Sequence, residues 1–220
     1  GCASEPAAKC SSYEIKIDYD HETQSAECSE SVSYYNSSNE ELEFICFHLY
    51  PNAFREDAKK PIVASSFVGK AYPNGKSFGE IEIKDVKNAE YALNYEITGE
   101  DENILKVNLQ NNLKPDEIIE INIEFSLILP NIKHRFGYGE NTANFGNFYP
   151  VACVYENSEF KTDLYSSNGD PFYSECASYN VEVAYDESFI LASTGEQSRT
   201  LSEGNRKTTE IKAVNVRDFC

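Results

Sequence analysis

The chain has 220 residues, of which 40% are apolar, enough to bury one sizeable core. Its formal net charge of −18 argues against nucleic-acid binding, because phosphate contacts need clustered Lys and Arg, and disfavours purely electrostatic docking on anionic membranes. Trp and Met are absent, while 15 Tyr and 13 Phe supply rings suited to half-buried strand faces.

With no initiator Met, the chain reads as a processed or excised piece. No apolar run reaches the ~18 residues of a membrane span. The opening Gly1-Cys2-Ala3-Ser4-Glu5 resembles the cleavage end of a bacterial lipoprotein signal. On that reading Cys2 carries lipid and forms a membrane tether, and the protein is extracellular or at the cell surface. Gly1 equally fits a remnant of tag removal. Residues 1–12 read as a disordered leader and residues 13–220 as a single β-sandwich domain. None of the seven cysteines forms a C-x-x-C pair, so a zinc ribbon is not expected. Most read as small buried hydrophobes, with one or two disulfides open in a secreted setting.

From Tyr13 the apolar period is two. Tyr13, Ile15, Ile17 and Tyr19 alternate with Glu14, Lys16 and Asp18, which predicts a half-buried strand. A turn at 20–24 and a second strand over 26–35 follow. Asn36-Ser37-Ser38-Asn39 is another turn, and Leu42 to Tyr50 is apolar on both faces, as in a central strand that Pro51 stops. These three strands read as an antiparallel meander. Residues 52–60 can hold one helical turn, and 61–79 read as a long loop. Further strands are expected around Ile81 and Ile83, Tyr91 to Ile97, and Leu105 to Leu109. The clearest alternation runs from Ile119 to Leu129, with Glu120, Asn122, Glu124 and Ser126 on the opposite face. Tyr179 to Tyr185, Phe189–Ala192, Arg199–Leu201 and Thr208–Val214 complete the set. Short strands with turns between them and no helical period predict an all-β fold, an antiparallel sandwich.

A catalytic constellation is not visible. His21-Glu22 fails the H-E-x-x-H pattern, because Ser25 stands where the second imidazole is needed. His48 sits in an apolar strand and reads as a core or interface residue. His134, beside Arg135, reads as exposed. There is neither a G-x-S-x-G elbow nor a phosphate-binding glycine loop. Gly169-Asp170-Pro171 reads as a turn.

Several segments carry a joint signal: Tyr13–Tyr19, LKPDEIIEINIEF (Leu113–Phe125), RFGY (Arg135–Tyr138), GNFYP (Gly146–Pro150), GDPFYSECASYNVEV (Gly169–Val183), ASTGE (Ala192–Glu196) and VRDF (Val216–Phe219). Their order resembles the N-terminal domain of the membrane alanyl aminopeptidase family, zinc aminopeptidases of the gluzincin type. The resemblance covers nearly the whole chain. It implies a saddle-like all-β domain that packs on a catalytic domain of the same polypeptide. That second domain would hold the zinc and act on peptide N-termini; its H-E-x-x-H motif is not in this sequence, so no cofactor and no catalytic residue are expected here. In the family, a T-Q-x-E-like segment upstream of an F-P pair binds the substrate's α-amino group. Counting back from Phe148-Tyr149-Pro150 leads to Glu140, Asn141 and Asn144, which depart from that pattern. A carboxylate such as Glu140 suits an ammonium group because a charge-assisted hydrogen bond is strong in a water-poor cleft. Arg217 and Asp218 read as a local pair or as contacts to the second domain. Residues Asn144 to Tyr155 and the C-terminal strand are expected to present an apolar or aromatic face to that domain. The competing reading is a stand-alone extracellular β-sandwich for binding or adhesion. A weaker one is a carboxylate enzyme such as a glycosidase, which would need two acids facing a cleft.

Overall fold

The computed structural model describes residues 9–60, 62–163 and 173–220. The Gly169-Asp170-Pro171 turn and the proposed lipid site Cys2 lie outside them. In chain order the strands are β1 (Ser12–Asp20), β2 (Ser25–Tyr35), β3 (Leu42–His48), β4 (Glu80–Lys87), β5 (Tyr95–Thr98), β6 (Ile104–Leu113) and β7 (Ile118–Ile128). Then follow β8 (Phe136–Tyr138), β9 (Ala143–Phe145), β10 (Val151–Ala152), β11 (Tyr155–Glu156), β12 (Glu159–Phe160), β13 (Ala177–Asp186), β14 (Glu196–Glu203) and β15 (Arg206–Val216). Among the described residues, helical structure is limited to short turns, of which Tyr50–Phe54 is the longest. No helix among them is long and apolar enough to cross a membrane.

Two sheets carry the fold. The larger runs β14-β15-β13-β1-β2-β7-β4 and the smaller β10-β3-β6-β5. The two-residue alternation builds their facing sides. Tyr13, Ile15, Ile17 and Tyr19 of β1 point inward while Glu14, Lys16 and Asp18 face solvent. In β7, Ile121, Ile123, Phe125 and Leu127 do the same. From the small sheet, Ile45, Phe47, Leu105 and Val107 meet them in one core. β3 is buried on both faces, as a central strand should be.

The structure differs from an antiparallel meander in two ways. β1 pairs with β13 in parallel, so the large sheet is mixed. And β3 does not pair with β2. After β2 the chain crosses to the other sheet through a turn clamped by buried Asn36, whose Nδ2 donates to the carbonyls of Glu40 (2.8 Å) and Leu113 (3.1 Å). Those bonds satisfy polar groups that the crossing would otherwise leave unpaired in the interior. Two local expectations also change. Phe189–Ala192 is not a strand but a loop. Tyr91 to Leu93 reach back to the end of β4, where the Leu93 N–H donates to the Val86 carbonyl (3.0 Å), and only Tyr95–Thr98 joins the small sheet. Loop 62–79 contains two consecutive short helical turns, Ser65–Phe67 and Val68–Ala71.

The histidines divide. His48 is buried with its ring stacked on Tyr50 (centroids 4.8 Å apart), and burial pulls its pKa down to about 4, so it is a neutral core residue at neutral pH. His134 is half-buried rather than exposed, with its ring edge-on to Phe54 at 5.5 Å. Burial, then the neighbouring Arg135, holds its pKa down.

Glu30 breaks the pattern of β2. It takes an inward position between Cys28 and Val32, is 1% exposed, and neither carboxylate oxygen has a hydrogen-bond partner. Burial alone raises its pKa well above the usual range, so the fold holds it protonated. In the unfolded chain the same group ionises near pH ~4.3. The native state therefore retains the extra proton, and this group makes stability fall as pH rises above that value. The slope is about 1.4 kcal/mol per pH unit until the folded group ionises. Glu30→Gln removes this dependence. Urea unfolding should show the variant gaining on the parent as pH is raised from 4 to 6, whereas parallel pH profiles would show that Glu30 is charged and partnered in the fold.

Candidate functional site

A cleft of about 880 Å³ opens on the inner face of the large sheet. Its floor is apolar: Ile17 of β1, Val183 of β13 and Ile211 of β15, adjacent in the sheet order. One wall is Ala143–Phe148 with His134 and Arg135, and the other is Leu191–Thr194 with the chain end Asp218–Cys220.

Each wall is fixed by backbone constraints. The Gly146 N–H donates to the Arg135 carbonyl (2.8 Å), and a Cβ on Gly146 would lie 2.9 Å from that oxygen, so only glycine fits. Asn147 follows in the left-handed region (φ +49°), a conformation Asn tolerates better than most residues. It is 3% exposed; its Nδ2 donates to Asp218 Oδ1 (3.0 Å), while its own Oδ1 is buried with no partner. On the opposite wall the Thr194 N–H donates to the Cys220 carbonyl (2.9 Å), and the Cys220 N–H donates back to Thr194 Oγ1 (3.2 Å). Gly195 turns there with φ +83°, and a Cβ would meet the Lys212 carbonyl at 2.2 Å. Ser193 Oγ is buried without a partner and also belongs to the cleft. The cleft thus combines an apolar floor with two unsatisfied polar atoms. The apolar floor suits a partner that buries apolar groups, whereas the two unpaired atoms lie beneath the surface of the walls.

The three residues singled out for the α-amino group are all exposed and lie on or beside the β8–β9 hairpin. Asn144 reaches the cleft, with Nδ2 donating to the His134 carbonyl (3.1 Å). Glu140 and Asn141 sit in the hairpin turn, closed by a Gly139 N–H bond to the Thr142 carbonyl (2.8 Å), and are not part of the cleft wall. The face expected over Asn144–Tyr155 is only partly presented. Phe145 is half-buried at the cleft, but Phe148, Tyr149, Val151 and Cys153 turn into the protein. Asn147 and Ser193 were not evident in advance; the Gly-Asn pair at 146–147 is the local signal of a positive-φ turn that points to the first. Among the described residues no three His, Cys, Asp or Glu side chains come together in a way that could hold a metal ion. A zinc site therefore does not fit them, and no metal step is assigned to this chain.

No protein-family model and no curated protein matches the chain. Its fold does have counterparts of known structure. An M1 zinc metallopeptidase from Deinococcus radiodurans superimposes with a TM-score of 0.50 at 12% identity, over 93% of this chain and 38% of that one. A mutant of that enzyme bound to a Tyr-Ser-Ala substrate gives 0.50 and 12% over 91% and 38%. A two-domain M1 zinc metallopeptidase mutant bound to L-arginine gives 0.50 and 12% over 93% and 38%. The chain thus has the all-β fold of one part of the M1 zinc metallopeptidases and spans a little over a third of their length.

The Asn147 geometry yields a graded prediction. Asn147→Gly loses the bond to Asp218 but keeps the backbone, and should cost about 1–2 kcal/mol. Asn147→Ala loses the same bond and also strains the left-handed backbone, adding about 1 kcal/mol. Urea unfolding of both variants checks the order, and equal losses would remove backbone strain from the account.

Proposed function

We propose that this chain is the non-catalytic N-terminal domain of a zinc-dependent aminopeptidase, packing on a catalytic domain and helping to shape its substrate cleft. The observation that carries this reading is the fold correspondence: nine-tenths of the chain answers to just over a third of two-domain zinc peptidases. The apolar cleft supports it, because its floor suits a covering protein surface.

On this reading zinc and the bond-breaking chemistry belong to the partner domain. Residues of this chain bind and position. Asn144, at the cleft, and Glu140 with Asn141, at the tip of the β8–β9 hairpin, reach the peptide's free N-terminus, where the Glu140 carboxylate offers charge complementarity to the ammonium. The opening Gly1-Cys2-Ala3-Ser4 supports, as part of the same proposal, an extracellular or cell-surface protein with lipid on Cys2 as its tether.

The isolated chain should not release amino acids from aminoacyl substrates in the presence of zinc; turnover abolished by a chelator would overturn the non-catalytic reading. In a polypeptide that also contains the catalytic domain, Glu140→Gln should raise KM roughly tenfold or more for peptides with a free N-terminus. It should leave N-blocked peptides, which lack the ammonium, unaffected. An unchanged KM removes Glu140 from the site without touching the domain assignment.

A further inference from the structure

The cysteines carry information that the function above does not use. All six in the described residues are thiols. Two face each other across strands. β10 pairs with β3 in the register Val151↔His48 and Ala152↔Phe47, which continues to Cys153 opposite Cys46, and the Cys153 N–H donates to the Cys46 carbonyl (2.9 Å). Directly opposed residues that share such bonds have Cα atoms about 5.5 Å apart, inside the range a disulfide spans. Their side chains are on the same side of the small sheet, away from the main core. There Cys46, Cys153 and Ile104 form a separate buried cluster, covered by Phe44 and by Phe160 of β12.

A second pair is suggested at the surface by the continuation of another register. β1 pairs with β13 in parallel from Ser12↔Ser178, and the Ser178 N–H donates to the Ser11 carbonyl (3.3 Å). Extended two residues beyond the paired strands, the same register brings Cys10 and Cys176 to corresponding positions, and both are exposed.

We propose that Cys46–Cys153 and Cys10–Cys176 are two cross-strand disulfides of the mature protein, the first buried and structural, the second exposed and exchangeable. Cys28 and Cys220 stay outside the scheme: Cys28 is buried in the main core, and Cys220 is held at the cleft by Thr194.

Glutathione disulfide is a sufficient oxidant. The thiolate of one cysteine attacks its S–S bond, giving a protein–glutathione mixed disulfide and one glutathione thiolate, which takes up a proton. The second cysteine thiolate attacks the protein sulfur and expels the other glutathione. Two electrons pass from the protein sulfurs to glutathione, and both thiol protons end on it.

Burial separates the two pairs in time. It pushes the Cys46 thiol up to about 11 and Cys153 well above its ordinary value, so neither is a nucleophile in the folded protein. The buried bond must therefore close during folding, while the exposed pair can oxidise afterwards.

The test uses the full chain Gly1–Cys220, followed by alkylation, proteolysis and peptide mass mapping. The folded, reduced protein is treated with a glutathione–glutathione disulfide mixture. Peptides carrying Cys10 and Cys176 should become joined, while Cys46 and Cys153 stay thiols. Reduced, urea-unfolded protein refolded in the same mixture should also join Cys46 to Cys153. Recovery of Cys46 and Cys153 on separate peptides after oxidative refolding overturns the buried bond. Recovery of Cys10 and Cys176 on separate peptides overturns the exposed one. In a Cys10→Ser, Cys176→Ser background, which alters only exposed side chains, oxidative refolding should raise the thermal midpoint by roughly 5–15 °C over reductive refolding. No rise there removes the structural role of the buried bond.

Discussion

Tyr13 is where the two layers of the protein are tied together. Its ring lies flat on Tyr179 (centroids 5.0 Å apart), and its hydroxyl accepts the Ala152 N–H at 3.0 Å. The first contact is within the large sheet and the second reaches β10 of the small one. Tyr149 stands edge-on to both rings and shares a hydrogen bond of 2.7 Å with the Tyr179 hydroxyl. Each ring contact of this kind is worth about 0.5–1.5 kcal/mol beyond area burial, and the hydroxyls are partnered, so the cluster buries polar atoms without leaving them unsatisfied. The arrangement depends on one topological fact, the parallel pairing that sets Tyr13 opposite Tyr179.

From that cluster the constraint spreads to the cleft. Phe219 stacks on Tyr179 at 5.7 Å, which holds the chain end against the large sheet. Phe148 packs on Tyr149, and Phe145 on Phe148 and on Tyr19. Both walls of the cleft are thus anchored on rings, and the Asn147–Asp218 bond joins them across a short gap. The cleft is a rigid consequence of the core rather than a groove between loose loops.

Strand existence was legible because half-buried sheets impose a period of two, as in Tyr13–Tyr19 and Ile119–Leu129. Strand partnership was not, since periodicity records which side faces the core and says nothing of the neighbour. The parallel β1–β13 pair joins segments more than 150 positions apart and leaves no local trace. The crossing after β2 hid behind an ordinary polar turn, where Asn36 proved to be a buried clamp. Phe189–Ala192 has strand-like composition, but it is a loop whose Leu191 and Ala192 line the cleft. At the site, the family resemblance pointed to Glu140, Asn141 and Asn144, of which Asn144 lines the cleft, while the buried Asn147 and Ser193 of its walls left no pattern in the sequence beyond the Gly-Asn pair at 146–147.

The strongly acidic composition bears on how such a cleft is covered. At a formal charge of −18, approach by another acidic surface is opposed at long range. The cleft floor itself is apolar, so the attraction there is short-ranged and grows with the area removed from water. A partner held in the same polypeptide avoids the long-range problem, because the tether supplies a high effective concentration regardless of charge. Short-range complementarity then has only to fix orientation. A rigid apolar cleft on a strongly acidic protein is better matched to a tethered neighbour than to a freely diffusing one.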